Sequence, residues 1–209
     1  MKKNNITLIA AIALMAATAA CSKKKDEGEK PVLPHPVLGT ITFATTQTWT
    51  VGSQTWSDAV QVSAADKTTF DGGESGNFKA DWRSNPGQKG SLFSWAAVNQ
   101  YKAALCPAPW RVPTKEDFIN LDKALGGTGN NDQTDATLRD KYLNDWGGAY
   151  GGWCTLVGTL HDQGSFAFYW SQSECGAGAA YNLYFGADNR IWPQDDGTKS
   201  NGNPVRCVK

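Results

Sequence analysis

From Thr40 to Val60 the chain reads TITFATTQTWTVGSQTWSDAV, with polar and apolar positions alternating about Gly52-Ser53. A period of two puts successive side chains on opposite faces of an extended chain, so this stretch predicts an early β-hairpin with Trp49 and Trp56 on its arms. Thr68 to Gly90 is rich in Gly, Asp, Asn and Ser and is expected to be mostly loop. The period then lengthens. In SLFSWAAVNQYKAAL, Leu92, Trp95, Val98 and Leu105 recur at helical spacing, and Cys106-Pro107 ends the run. Proline lacks the amide a helix needs and clashes with the preceding turn.

The corner that follows, LCPAPWRVPTKEDF, carries three prolines that hold an extended turn between two helices. Thr114 is placed as an N-cap, and Glu116 and Asp117 fall in the first turn, where the helix dipole favours carboxylates. Phe118, Leu121 and Leu125 form a buried stripe, and Gly126-Gly127 stops the second helix. A third short helix is expected from Ala136 to Trp146, with Leu138, Tyr142 and Trp146 on one face. After Gly152 the period returns to two. WCTLVGTLHDQGSFAFYWSQSE predicts a hairpin about Asp162-Gln163-Gly164, AYNLYFGADNRIW a second turning at Gly186 to Asn189, and PVRCVK a final strand. Hairpin, then helices, then antiparallel strands define one α+β domain, two or three helices packed on antiparallel hairpins, with its ends close together.

The chain has 209 residues, and its first twenty have the layout of a secretory signal: Lys2 and Lys3, an apolar run from Ile6 to Met15, and small residues up to Cys21. Cysteine directly after small residues resembles a bacterial lipobox, so Cys21 is expected to carry a lipid and anchor the mature chain to a membrane. Thr18 stands where that motif usually has leucine. Residues 21–38, charged and then punctuated by proline, read as a flexible stalk. The order KKKDEGEK after the cysteine is similar to the charged export tags of surface lipoproteins in Bacteroidetes-type bacteria. Residues 39–209 remain for one domain, enough for a real core. Without Lys2 and Lys3 there are 18 basic against 20 acidic residues, so nothing marks a nucleic-acid partner.

Apart from Cys21 there are Cys106, Cys154, Cys175 and Cys207. An even number in an exported chain points to disulfides, and four cysteines allow three pairings that spacing does not decide. The nested scheme, Cys106–Cys207 with Cys154–Cys175, is the working expectation. On the chain-entropy model its outer loop of about 100 residues contributes roughly 4–5 kcal/mol and its inner loop about 3. Zinc is disfavoured because no CxxC pair exists.

VGSQTW, GSLFSWAAV, CPAPWRVPTKEDFINL, YWSQSE, AYNLYFG and the terminal VRCVK, in that order from Val51 to Lys209, together resemble the Fibrobacter succinogenes major paralogous domain. The resemblance implies a C-type-lectin-like fold in an exported protein or lipoprotein, facing the cell surface or otherwise the periplasm. It favours Cys106–Cys207 as the family bridge and leaves Cys154 and Cys175 as additions. It attaches no reaction.

Catalysis has little to stand on. His35 lies in the stalk, and His161-Asp162 sits at a turn with no nucleophile motif beside it. Neither NNDQTD (Asn130 to Asp135) nor DNRIWPQDDG (Asp188 to Gly197) has EF-hand spacing, so no cofactor is expected and calcium is a minor alternative. The aromatic residues say more. Trp192, before Pro193, is expected to present an exposed ring among Asp188, Asn189, Asp195, Asp196 and Glu174. A ring supplies a platform for the C–H face of a sugar, and carboxylates and amides bond its hydroxyls. The expectation is a non-enzymatic, lipid-anchored binding or adhesion module whose partner is a glycan. The alternatives are an assembly subunit meeting envelope or fimbrial proteins, and a glycan hydrolase using Glu174 with Asp195 or Asp196.

Overall fold

The structure, a computed structural model, describes residues 40–42, 47–63 and 67–209; the expected leader, the expected lipidation site at Cys21 and the expected stalk lie outside the described residues. The chain enters through β1 (Thr40–Thr42), the hairpin β2 (Thr48–Val51)–β3 (Gln54–Ala59), and β4 (Gln61–Ser63), which pairs antiparallel with β1. Trp49 and Trp56 stand on the two arms, as the alternation predicted, and are cross-strand partners. Between Thr68 and Gly90 the expected loop is interrupted by a small hairpin, β5 (Gly73–Glu74)–β6 (Asn77–Phe78), and by β7 (Trp82–Arg83), which pairs with β8 (Leu92–Ser94). Strands of two residues are too short to show a period.

Helix α1 (Trp95–Leu105) starts at Ser94, whose hydroxyl accepts the Ala97 N–H, and stops at Cys106. Helix α2 (Lys115–Leu125) has a full capping box: Thr114 Oγ1 accepts the Asp117 N–H, and the Asp117 carboxylate accepts the Thr114 N–H. Gly126 ends it at φ 103°, a left-handed turn that a side chain would strain. After β9 (Gln133–Thr134), α3 (Ala136–Asn144) is capped by Asp135 and stops short of Trp146, which is nonetheless fully buried. The remaining strands are β10 (Trp153–Cys154), β11 (Leu160–His161), β12 (Phe166–Glu174), β13 (Ala179–Gly186), β14 (Arg190–Thr198), β15 (Gly202–Asn203) and β16 (Arg206–Val208). Helices and antiparallel strands together make the α+β class expected.

Three sheets carry the packing, in strand orders β12-β13-β14-β9, β11-β10-β15-β8-β7 and β16-β3-β2. The hairpin expected from Trp153 to Glu174 is corrected here. Its turn exists, with φ 63° at Asp162 and 79° at Gly164, but the strands on either side do not pair. β10 folds back on β11 through Thr155 and Gly158 instead, and β12 takes β13 as its partner.

Among the described residues two large apolar cores result, beside a small cluster of Phe70, Leu92 and Cys154. In one, Trp56 stacks on Phe118 at 5.6 Å and meets Trp146 edge-on at 5.4 Å, beneath Leu183 and Phe185 of the large sheet. In the other, α1 packs Val98 and Leu105 against Phe93, Trp170 and Val205. The Cys106–Cys207 disulfide joins the end of α1 to β16 with a Cα–Cα distance of 5.6 Å. Arg111 reinforces the same corner. Its guanidinium grips the Asp117 carboxylate at 2.5 and 2.8 Å, and its backbone bridges Val208. Burial alone would push the Asp117 carboxyl up, but bonds from Arg111 and Thr114 outweigh it and hold the group below its ordinary value.

The second expected bridge, Cys154–Cys175, is not formed; both thiols are free. Cys154 lies on β10 in the five-stranded sheet, its Sγ against Gly202, where an added Cβ would approach it to 2.5 Å. Cys175 is exposed at the β12–β13 turn of a different sheet. Burial pushes the Cys154 thiol up to about 12. A thiol reagent applied to the native protein should therefore modify Cys175 and spare Cys154 until denaturant is added, a pattern that mass spectrometry reads directly.

Candidate functional site

Strands β12, β13 and β14 run eight or nine residues each, and their alternation fixes which side chains share a face. Ala167, Tyr169, Leu183, Phe185 and Ile191 enter the first core. The opposite face carries a row of rings. Phe166 stacks on Tyr184 at 5.7 Å, Phe168 lies 5.2 Å from Tyr184, and Tyr184 lies 5.3 Å from Trp192. Two residues beyond Phe168, Trp170 is wholly covered, its indole N–H donating to the Phe93 carbonyl at 2.8 Å. This face is therefore roofed by β8 at one end.

The register breaks between the two ends. Asn182 pairs with Asp195 but Tyr184 with Trp192, so β14 fits one more residue than β13 between those rungs. In a regular strand, positions three apart face opposite sides; the bulge turns Trp192 and Asp195 to the same side. Pro193 sits within it, where a missing N–H costs no ladder bond. The Gln194 amide donates instead to Asn131 Oδ1 at 2.9 Å, and Asn131 donates back to the Gln194 carbonyl at 3.1 Å.

Beside the bulge opens a cleft of about 380 Å³. Trp153 and Phe168 supply its rings, with centroids 6.4 Å apart. Trp153 is held by His161 stacked at 4.8 Å and by a hydrogen bond from Nε1 to Asp162 Oδ2 at 2.7 Å. The carboxylates are Asp162, Asp195 and Asp196; the amides are Asn182, Asn201 and Asn203. With its amide oriented to satisfy both neighbours, Asn182 donates to Asp195 Oδ2 at 3.3 Å and accepts the Gly197 N–H at 3.2 Å. Asn203 is only 3% exposed, yet its side-chain amide has no hydrogen-bond partner among the described residues. That amide is not cut off from solvent; it opens onto the cleft, where a ligand can meet it.

Burial pushes the Asp195 carboxyl up to about 6, and the adjacent Asp196 charge adds to it, while Asp196 N–H and Asn182 act against it. A carboxyl raised on folding takes up protons in the native state. Its contribution to stability is full below its ordinary 3.8 and is lost as pH rises through about 6. Asp195→Asn should raise the melting temperature at neutral pH and flatten the profile between about pH 4 and 6; thermal melts across that range check it.

Of the six expected ligand residues, the structure brings Asp195 and Asp196 to the cleft and disperses the others. Trp192 is half-buried against Tyr184, with its indole N–H inside and unpartnered among the described residues. Asp188 and Asn189 build the β13–β14 turn, where Asp188 pairs with Arg190 and Asn189 adopts φ 70°. Burial, then the Asp188 charge, pushes the Tyr184 phenol up to about 12. Glu174 is at the other end of the sheet, in an ion pair with Lys199. The sequence reading missed Trp153, Phe168, Asn201 and Asn203 as partners. Only the ring of Trp153 beside His161-Asp162 carried a signal, since Asn201 and Asn203 reach the cleft through a strand of two residues. Asn130 to Asp135 serve the bulge and the cap of α3. Among the described residues, no group of three or more His, Cys, Asp or Glu is arranged to hold a metal ion.

Fold and site together define an α+β domain with its last strand clasped to an inter-helix corner and a cleft of rings, carboxylates and amides beside a bulge. The chain belongs to the family of the Fibrobacter succinogenes major domain, whose sequence model matches residues 45–209. No curated protein and no solved structure matches it significantly.

Proposed function

We propose that this domain is a glycan-recognition module with a C-type-lectin-like fold, displayed outside the cell on a lipid anchor at Cys21. Two features of the fold favour the lectin-like reading: the bridge between first helix and last strand, and the long bulged sheet beside an open cleft. The reading of function rests on one observation, the cleft that joins the rings of Trp153 and Phe168 to the amide of Asn203, which opens onto it and bonds no described residue. Apolar rings meet the C–H face of a sugar, and the amides and carboxylates bond its hydroxyls.

On a glycan array, the protein should bind at least one oligosaccharide, and Trp153→Ala should weaken that binding roughly tenfold or more, about 1.4 kcal/mol. Assembly with envelope proteins is the second reading. It is favoured by Leu156 and Val157, exposed by 38% and 68% at the β10–β11 turn. A silent array together with co-purified envelope proteins, lost on Val157→Asp, would establish that reading instead. Turnover of a bound oligosaccharide abolished by Asp195→Asn would make the domain a hydrolase.

A further inference from the structure

The cleft is lined by charge of one sign. Asp162, Asp195 and Asp196 bring carboxylates, and no Lys, Arg or His is among the described residues that line it. The three differ in how far they are engaged. Asp162 gives one oxygen to Trp153 Nε1, and Asp195 is bonded by Asn182. Asp196 is exposed and makes no side-chain hydrogen bond to a described residue. Rings add to the same sign, because the face of an indole or phenyl group carries the negative part of its quadrupole and attracts cations. Asn201 and Asn203 are neutral and favour neither sign. An anionic sugar would enter against the charges of Asp162 and Asp196, joined by Asp195 where it ionises, with no cation among the described lining residues to receive it, whereas an ammonium group would find carboxylates and π-faces together.

We propose that the cleft selects glycans bearing a free amino group, of the de-N-acetylated hexosamine kind, and rejects uronic and sialic acids. This rests on the recognition reading above and narrows its ligand class. Discrimination comes from the charge on the sugar's nitrogen: acetylation removes it and adds bulk, while a carboxylate reverses it.

The test is titration calorimetry of the full chain with three oligosaccharides of equal length: fully de-N-acetylated chitosan, chitin and oligogalacturonate, at a pH where the amine is protonated. The expected result is chitosan binding at least tenfold tighter than chitin, with no heat from oligogalacturonate. Screening should shrink that ratio as salt is raised, since Asp196 is open to solvent. Asp196→Asn should narrow the ratio, and Asp196→Lys should narrow it further and admit oligogalacturonate, responses that a merely structural role for Asp196 would not give. Equal affinity for chitosan and chitin, or tighter binding of oligogalacturonate, overturns the charge selection and leaves glycan recognition standing. So does silence from all three when a neutral glycan binds on the array. No binding to any glycan overturns both.

Discussion

Replacing Cys106 and Cys207 together by alanine is expected to lower the unfolding free energy by about 4–5 kcal/mol, the chain-entropy value for a loop of this length. The two cysteines are 101 residues apart in sequence, and the segment between them contains α2, α3 and β9 to β15. Cutting the bond leaves the native contacts of β16 in place. β16 still pairs with β3, and Arg111 still bridges Val208. What changes is the unfolded chain, which regains the freedom to separate its ends. For a domain of ordinary stability, about 5–15 kcal/mol, that is about a quarter of the total or more. Urea titrations of the oxidised wild type and the double variant, with reduced wild type as a third sample, measure it. A loss below about 1 kcal/mol would mean that the corner is held by packing and the Arg111–Asp117 pair rather than by the covalent link.

The elements most legible in the sequence are those whose signals are local. Thr114, the first-turn carboxylates and Gly126 bracket α2 because caps and stops act within a few residues, and they appear as read. Trp49 and Trp56 pair for the same reason: two residues separate their strands. The strands of the five-stranded sheet are two or three residues long, and β8 finds β15 across more than 100 positions of chain, so neither period nor turn chemistry marks the pairing. The candidate site failed for a different reason. Asp195 and Asp196 were read as ligand residues, but Trp192 was expected to be their exposed platform. The ring does share a face with Asp195, because of a bulge that alternation does not reveal, and there it packs against Tyr184. Trp153, read as the start of a regular hairpin, became the cleft ring only because its strand folded back early on β11. Long-range pairing decided both outcomes.

The other large effect belongs to Arg206. Arg206→Ala should cost about 3–5 kcal/mol, the range for a severe core lesion. The guanidinium is fully buried, donating through Nε to the Ser57 carbonyl at 2.7 Å and through Nη1 to the Trp146 carbonyl at 2.8 Å. It lies 4.7 Å from the ring centre of Trp49 and 4.0 Å from that of Trp146. Among the described residues no carboxylate is within ion-pair distance, and Nη2 has no partner. Burial pulls the group down to about 10, so it remains charged at neutral pH. Two carbonyls and two indole faces therefore hold a cation that an acid would ordinarily neutralise. Removing it leaves the carbonyls of Ser57 and Trp146 unbonded inside the fold, each worth roughly 1–3 kcal/mol, and opens a cavity between the rings. Arg206→Met separates these causes. Methionine fills much of the volume and removes the cost of burying charge, but leaves both carbonyls unbonded. It should lose less than alanine, about 1–3 kcal/mol, with tryptophan emission shifted in both variants. Urea midpoints at constant m-value give the order. If methionine proved as stable as arginine or more so, the cation would be tolerated by the fold and not required by it, and the stabilising part of this residue would be its aliphatic stem alone.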